Sequence, residues 1–245
     1  MARFLVLIRP VALALSVPSL AFSQAATPAP PLEPSWRTFL PELADDVRRL
    51  PSNPFAVSMT FGGIASSSAL PLDDHFLRWE PNDAFESGTW IGNGVVLATG
   101  TLLAYSIGHW DGEPRVKRIA ADVLRAQVLS LSLAYGLKYA THRQRPDQSG
   151  HDSFPSGHAS QTFASAMVLA RHLGRSAGVP AFAAATFVSM SRVNQGRHHL
   201  SDVAFGAGLG AAVGWTSAHR ASRWTVQPTV MRSTKGIQIS RVFAQ

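Results

Sequence analysis

Three polar clusters interrupt the apolar second half of this sequence: Lys138 to Pro146, Pro155 to His158, and Ser191 to Asp202. In the first, Lys138 and Arg145 stand seven positions apart, which on a continuing helix sets them on one face two turns apart. Pro146 pushes Arg145 out of helical geometry, toward a loop at the helix end. A guanidinium fork beside a lysine ammonium can hold the non-bridging oxygens of a phosphate. The plainer alternative is a cationic helix C-terminus favoured by the helix dipole.

In the second cluster, Pro155-Ser156-Gly157-His158 precedes an apolar stretch from Ala159 to Leu173. Ser156 sits where an N-cap belongs, and Gly157 leaves backbone N–H groups open to close approach. A helix start with bare N–H groups attracts anions, and His158 in its first turn could donate a proton to what binds there. A serine cap followed by a surface histidine is the bland reading. In the third cluster, Ser191-Arg192 is followed by His198 and Asp202. Four residues of spacing let the Asp202 carboxylate reach the His198 ring, fixing one nitrogen as N–H and leaving the other as nucleophile or base. A helix-start ion pair is the alternative. His158, His198 and Asp202 could also be read as metal ligands, but three cations aimed at one site would repel a divalent ion.

Taken together, the clusters spell K-x6-R-P, P-S-G-H and S-R-x5-H-x3-D in that order, and this pattern resembles the type 2 phosphatidic acid phosphatase and haloperoxidase superfamily. The resemblance implies an all-α helical bundle with the motifs meeting at one end, and hydrolysis of phosphomonoesters or diphosphates with no cofactor and no metal. By that resemblance His198 is the nucleophile, Asp202 its partner and His158 the general acid and base. Lys138, Arg145, Ser156, Gly157 and Arg192 would bind the phosphate. The same site could hold vanadate and act as a haloperoxidase, or be a non-catalytic anion-binding site. The link between the first two motifs, Asp147 to Phe154, is short and leaves no room for a large lid. His142, Arg143, His151 and His199 match no motif position and read as pocket rim.

The frame around these residues is apolar: 46% hydrophobic residues, 15% charged and a mean hydropathy of +0.06 over 245 residues. With no cysteine, disulfides, thiolate metal sites and thiol nucleophiles are excluded. From Arg115 onward there are 16 Lys+Arg against 4 Asp+Glu, whereas the earlier part has 6 against 11. Scattered single cations without interleaved aromatics point to a pocket for an anion and to no nucleic acid.

Residues 1–25 read as a signal peptide, with Arg3, an apolar core and Ser23 and Ala25 before the cut, and 26–35 as a Pro-rich linker. That implies export, to the periplasm or the periplasmic face of the inner membrane. Residues 36–86 form an N-terminal helical region opening with an amphipathic helix from Trp36 to Leu50. A core bundle spans 87–220, with apolar helices at Trp90 to Ile107, Val123 to Ala140, Ala159 to Leu173, Val179 to Met190 and Val203 to Trp215. Gly206, Gly210 and Gly214 repeat on one face and predict close helix packing. The tail 221–245 allows a β-hairpin around Ser233-Thr234-Lys235-Gly236. Helices more apolar than a soluble bundle needs favour membrane association and a lipid phosphate; a soluble periplasmic acid phosphatase acting on small phosphorylated molecules is the alternative.

Overall fold

A computed structural model describes residues 35–76, 79–218, 223–231 and 234–242. The expected signal peptide and nearly all of the Pro-rich linker lie outside the described residues. The fold is all-α: α1 (Trp36–Arg49), α2 (Asn53–Ala69), α3 (Asp73–Phe76), α4 (Glu86–Ile91), α5 (Gly94–Trp110), α6 (Pro114–Thr141), α7 (Gly157–Leu173), α8 (Arg175–Asn194) and α9 (Leu200–Ser217). Two nine-residue strands follow, β1 (Arg223–Met231) and β2 (Thr234–Val242), antiparallel to each other. Met231 pairs with Thr234 and Val230 with Lys235, the antiparallel pairing of the hairpin expected in this tail.

The core is built where α6, α7 and α9 meet. Val123, Ala126 and Leu129 of α6 pack with Ala164 and Val168 of α7 and with Leu209 and Val213 of α9. Alanine, valine and glycine dominate because the backbones lie close. A Cβ on Gly210 would stand 2.2 Å from the Ser160 carbonyl oxygen, and one on Gly214 2.4 Å from that of Ala164. On the opposite side of α9, a Cβ on Gly208 would meet the Gly62 Cα of α2 at 2.4 Å. The glycine stripe therefore seats α9 directly against the α7 backbone with no side chain of its own between them, and this brings the second and third motifs together.

Two expectations change. The apolar segment from Trp90 to Ile107 is not one helix: α4 and α5 meet at Gly92-Asn93 with a bend of 52°. Asn93 caps α5 by accepting from the Val95 N–H at 2.9 Å. Gly92 is packed so tightly that a Cβ there would lie 2.2 Å from Val188 Cγ1 and 3.1 Å from His158 Cδ2. The helix through Val123 starts earlier than its apolar run, at Pro114, where proline suits the first helical turn.

α1 is fastened to α6 by charge. Arg125 is fully buried and donates from Nε to Asp46 Oδ2 at 3.0 Å, from Nη2 to Asp122 Oδ1 at 2.7 Å, and from Nη1 to Glu42. Burial pushes the Asp46 carboxyl up to about 6, against the pull of Arg125. Among the described residues, Asn53–Phe76 is long and apolar enough to cross a membrane, and the bent pair Asp83–Ile91 and Gly94–Trp110 would be a second such stretch if counted as one span.

Candidate active site

The first motif straddles the end of α6. His142 adopts the left-handed conformation, φ 44°, and its N–H closes the helix on the Lys138 carbonyl at 3.0 Å. The chain then enters the loop that carries Arg145, as Pro146 requires. Lys138 is buried and donates to the Asp152 carbonyl. Arg145 pairs with the Asp152 carboxylate through Nη2 and Nε, both at 2.7 Å. Burial, opposed by Asp152 and assisted by the Arg145 charge, brings Lys138 down to about 8. Asp152 was not singled out from sequence.

Ser156 caps α7, accepting from the Ala159 N–H at 3.4 Å, and its own N–H donates to the Asp202 carbonyl at 3.1 Å. A Cβ on Gly157 would touch Leu131 Cδ1 at an ordinary 3.5 Å, so packing alone does not require glycine there. His158 follows in the first turn, with Gly92 of the α4–α5 bend against its ring. Its Nε2 is buried and makes no hydrogen bond among the described residues. Burial, then the charges of Arg192, Lys138 and Arg145, hold it down to about 4. Those three cations, from three separate segments, therefore bear on one neutral imidazole.

Arg192 ends α8 and donates from Nη1 to Thr89 Oγ1 and Gln195 Oε1, both at 2.9 Å. Burial, aided by Arg197 and Arg145, lowers it to about 10, so it is charged at neutral pH.

The third motif differs from the expected geometry. His198 lies just before α9, not on it, and its Nδ1 donates to the Ser153 carbonyl at 2.6 Å. Asp202 Oδ2 is 4.0 Å from that nitrogen, so the carboxylate stands near the ring without being its hydrogen-bond partner. The carboxylate is committed elsewhere: Oδ2 accepts from Ser153 Oγ at 2.5 Å and from the His199 N–H at 2.9 Å, and Oδ1 accepts from Arg143 Nη1 at 2.6 Å. Burial would raise Asp202, but the bonds from His199 and Ser153 and the charge of Arg143 outweigh it and hold the carboxyl below the ordinary range. Burial and Lys138 push His198 down, against Asp202, so this ring is neutral too. With Nδ1 carrying the proton, Nε2 carries the lone pair.

Arg143 and His199, expected at the rim, are thus bound to the site's carboxylate. His142 and His151 are exposed, as rim residues are. Asp73, from α3, was not anticipated: it accepts from Arg143 Nη2 at 2.9 Å and from Ser201 N–H at 2.9 Å. All eight site residues named from the motifs lie on this one end of α6, α7, α8 and α9. Among the described residues, no group of three His, Asp or Glu is placed to hold a metal ion. The arrangement brings the positive charge of Lys138, Arg145 and Arg192 to bear on one neutral imidazole, His158, and leaves a second, His198, with an unprotonated Nε2.

Residues 119–225 match the PAP2 superfamily. Over 101 residues the chain is 34% identical to lipid A 1-phosphatase of Porphyromonas gingivalis, covering 40% of this chain and 22% of that protein. Over 93 residues it is 37% identical to decaprenylphosphoryl-5-phosphoribose phosphatase of Mycobacterium tuberculosis, covering 34% of this chain and 50% of that one. The chain thus spans half or less of the length of these curated relatives. Among solved structures it is similar to a transmembrane PAP2 type phosphatidylglycerolphosphate phosphatase from Bacillus subtilis, at 22% identity and a TM-score of 0.38, over 74% of this chain and 92% of that one.

Proposed function

We propose, because residues 119–225 match the PAP2 superfamily, that this chain hydrolyses phosphomonoesters or diphosphates of lipids without a metal, through a phosphohistidine. The carrying observation is the convergence of Lys138, Arg145 and Arg192 on the neutral His158, beside a His198 whose Nδ1–H is tied to Ser153. His198 Nε2 attacks phosphorus in line. The P–Nε2 bond forms as the bond to the leaving oxygen breaks, and that oxygen takes its electron pair and a proton from His158. The Nδ1 proton stays on its bond to Ser153, and the Asp202 carboxylate 4.0 Å away offsets the positive charge of the phosphorylated ring. In the second half, His158 removes a proton from water, the water oxygen bonds phosphorus, and the P–N electron pair returns to Nε2.

Lys138, Arg145 and Arg192 stabilise the equatorial oxygens throughout, with the Gly157 N–H and the Ser156 hydroxyl beside them. Since packing leaves the Gly157 Cβ position unobstructed except for Leu131, the bare backbone there serves the approach of the phosphate. Lipid substrates are supported by the printed names of both relatives and by large apolar side chains left exposed: Phe61 and Ile64 on α2, Trp90 on α4, and Val95 and Trp110 on α5. We place these faces in the membrane and the protein, after export, on its periplasmic side.

The test is phosphate release by the chain lacking residues 1–25, in detergent with EDTA present, from an aryl phosphate, phosphatidic acid and a prenyl diphosphate, alongside His198→Ala. Release that needs His198 and favours a lipid supports the reading in full. Preference for the aryl phosphate moves the protein to scavenging of soluble esters. Activity abolished by EDTA and restored by a divalent ion refutes the metal-free route.

A further inference from the structure

Asp202 does not hold itself in place. Its Oδ1 is engaged by Arg143 Nη1 at 2.6 Å, and the same nitrogen donates to Ser201 Oγ at 2.7 Å. The other guanidinium nitrogen, Nη2, donates to Asp73 Oδ2 at 2.9 Å. Asp73, buried at the start of α3, also accepts from Ser201 Oγ at 2.6 Å, and its Oδ1 takes the Ser201 N–H at the exposed-dipole end of α9. Two carboxylates from segments 129 positions apart are thus clamped on one arginine, and one of them simultaneously caps the helix that carries the other.

Clamped in this way, Asp202 makes no direct hydrogen bond to His198. Were Oδ1 or Oδ2 to accept the Nδ1 proton, the imidazole would have an anionic partner, and protonation of its second nitrogen, which removes the nucleophilic lone pair, would become easier. With Asp202 held at 4.0 Å, the ring is partnered by the neutral Ser153 carbonyl. The other charged or titratable groups bearing on His198 and Asp202 are Lys138, Arg192 and His199. None of them bridges Asp202 to a second element in the way Arg143 does.

We propose that Arg143 and Asp73 are positioning residues for the reaction: through Asp202 they set the distance between the catalytic carboxylate and the His198 ring. The proposal rests on the hydrolytic reading above, and it gives the N-terminal region, outside the matched segment 119–225, a part in the chemistry.

The test compares Arg143→Ala, Arg143→Lys, Asp73→Asn and the Arg143→Ala/Asp73→Asn double variant. A misplaced carboxylate lowers kcat of Arg143→Ala about 100-fold, with KM within about threefold of wild type because no phosphate-binding cation is removed. The acid limb of kcat/KM moves up by about one pH unit as the freed carboxylate reaches Nδ1. Arg143→Lys restores part of kcat. Asp73→Asn keeps an oxygen for the Ser201 N–H, has an intermediate loss, and adds nothing once Arg143 is gone. Thermal unfolding of each variant separates a collapsed fold from a mispositioned site.

Histidine NMR reads the same point without turnover: the His198 ring of Arg143→Ala protonates at higher pH than that of wild type. Wild-type protein that releases no phosphate while showing this NMR difference defeats the hydrolytic reading and leaves the clamp standing. An unchanged acid limb and unchanged His198 titration in Arg143→Ala, or additive losses in the double variant, overturn the proposal.

Discussion

In the proposed mechanism the general acid must carry a proton when the leaving oxygen departs, yet His158 is held down to about 4 by burial and by the charges of Arg192, Lys138 and Arg145. From an ordinary histidine near 6.5, that displacement is worth about 3 kcal/mol against protonation of the ligand-free site. A bound phosphate dianion neutralises the same three cations, so it removes the repulsive part and draws the proton in. By linkage, a two-unit rise in the His158 pKa on binding means that the protonated site binds phosphate about 100-fold more tightly than the neutral one. Phosphate affinity, corrected for the ligand's own ionisation, therefore falls as pH rises from about 4 to about 6, and levels off above. The basic limb of kcat/KM, which reports the free enzyme, lies at lower pH than that of kcat, which reports the complex.

The assay pairs pH–rate profiles with histidine NMR titrations of ligand-free and phosphate-saturated protein, using His158→Ala to assign the resonance. Arg192→Gln removes the cation with the largest effect on His158, and raises the ligand-free value by about one unit. A ligand-free His158 that titrates at 6.5 or above, or one that phosphate leaves unmoved, refutes this reasoning.

Three further outcomes are expected. Lys138 titrates at about 8, so KM rises above that pH as the ammonium is lost, and a KM flat to pH 10 contradicts its placement on the phosphate. Gly92→Ala forces a Cβ to within 2.2 Å of Val188 and 3.1 Å of His158; it destabilises by about 1–3 kcal/mol in denaturant unfolding and lowers kcat, and wild-type stability together with wild-type kcat would show that the bend does not brace the acid. Asp46 binds its proton more tightly folded, at about 6, than unfolded, at 3.8, so stability falls as pH rises through that window, by about 3 kcal/mol in all. Asp46→Asn flattens that slope in equilibrium unfolding, whereas an unchanged slope assigns it to other groups.

The residues proposed to touch phosphate were legible because their spacing is local: Lys138 and Arg145 straddle one helix end, Ser156 and His158 open another, and Arg192 lies in the last turn of a third. The helices were legible for the same reason, except where tertiary packing intervened. Nothing in the apolar run from Trp90 to Ile107 shows that Gly92 must fit against Val188 and His158, so the break there was missed. Partners across the fold were hidden too, because Asp73 and Arg143 lie 70 positions apart and Arg192 and Thr89 lie 103 apart. One signal was available and not used. The basic half has four acidic residues, and each is paired with an arginine: Asp122 with Arg125, Asp147 with Arg197, Asp152 with Arg145 and Asp202 with Arg143. So few anions among so many cations leave little room for a solvated carboxylate, and that scarcity marks Asp152 as a paired group.

The short link between the first two motifs has two unlike halves. At its tip, Gln148 and Ser149 are exposed, and the turn beneath them is closed by the Arg145 N–H on the Gly150 carbonyl. Three residues later the chain is tied down group by group: the Asp152 carbonyl by Lys138, the Ser153 carbonyl by His198, the Ser153 hydroxyl by Asp202, and the Phe154 carbonyl by Thr141. For protein engineering this makes the loop a socket with a sharply defined edge. A selectivity cap spliced in at Gln148-Ser149 leaves the bonds around His198 untouched, while the same cargo spliced in at Asp152-Ser153 unplugs the proposed nucleophile.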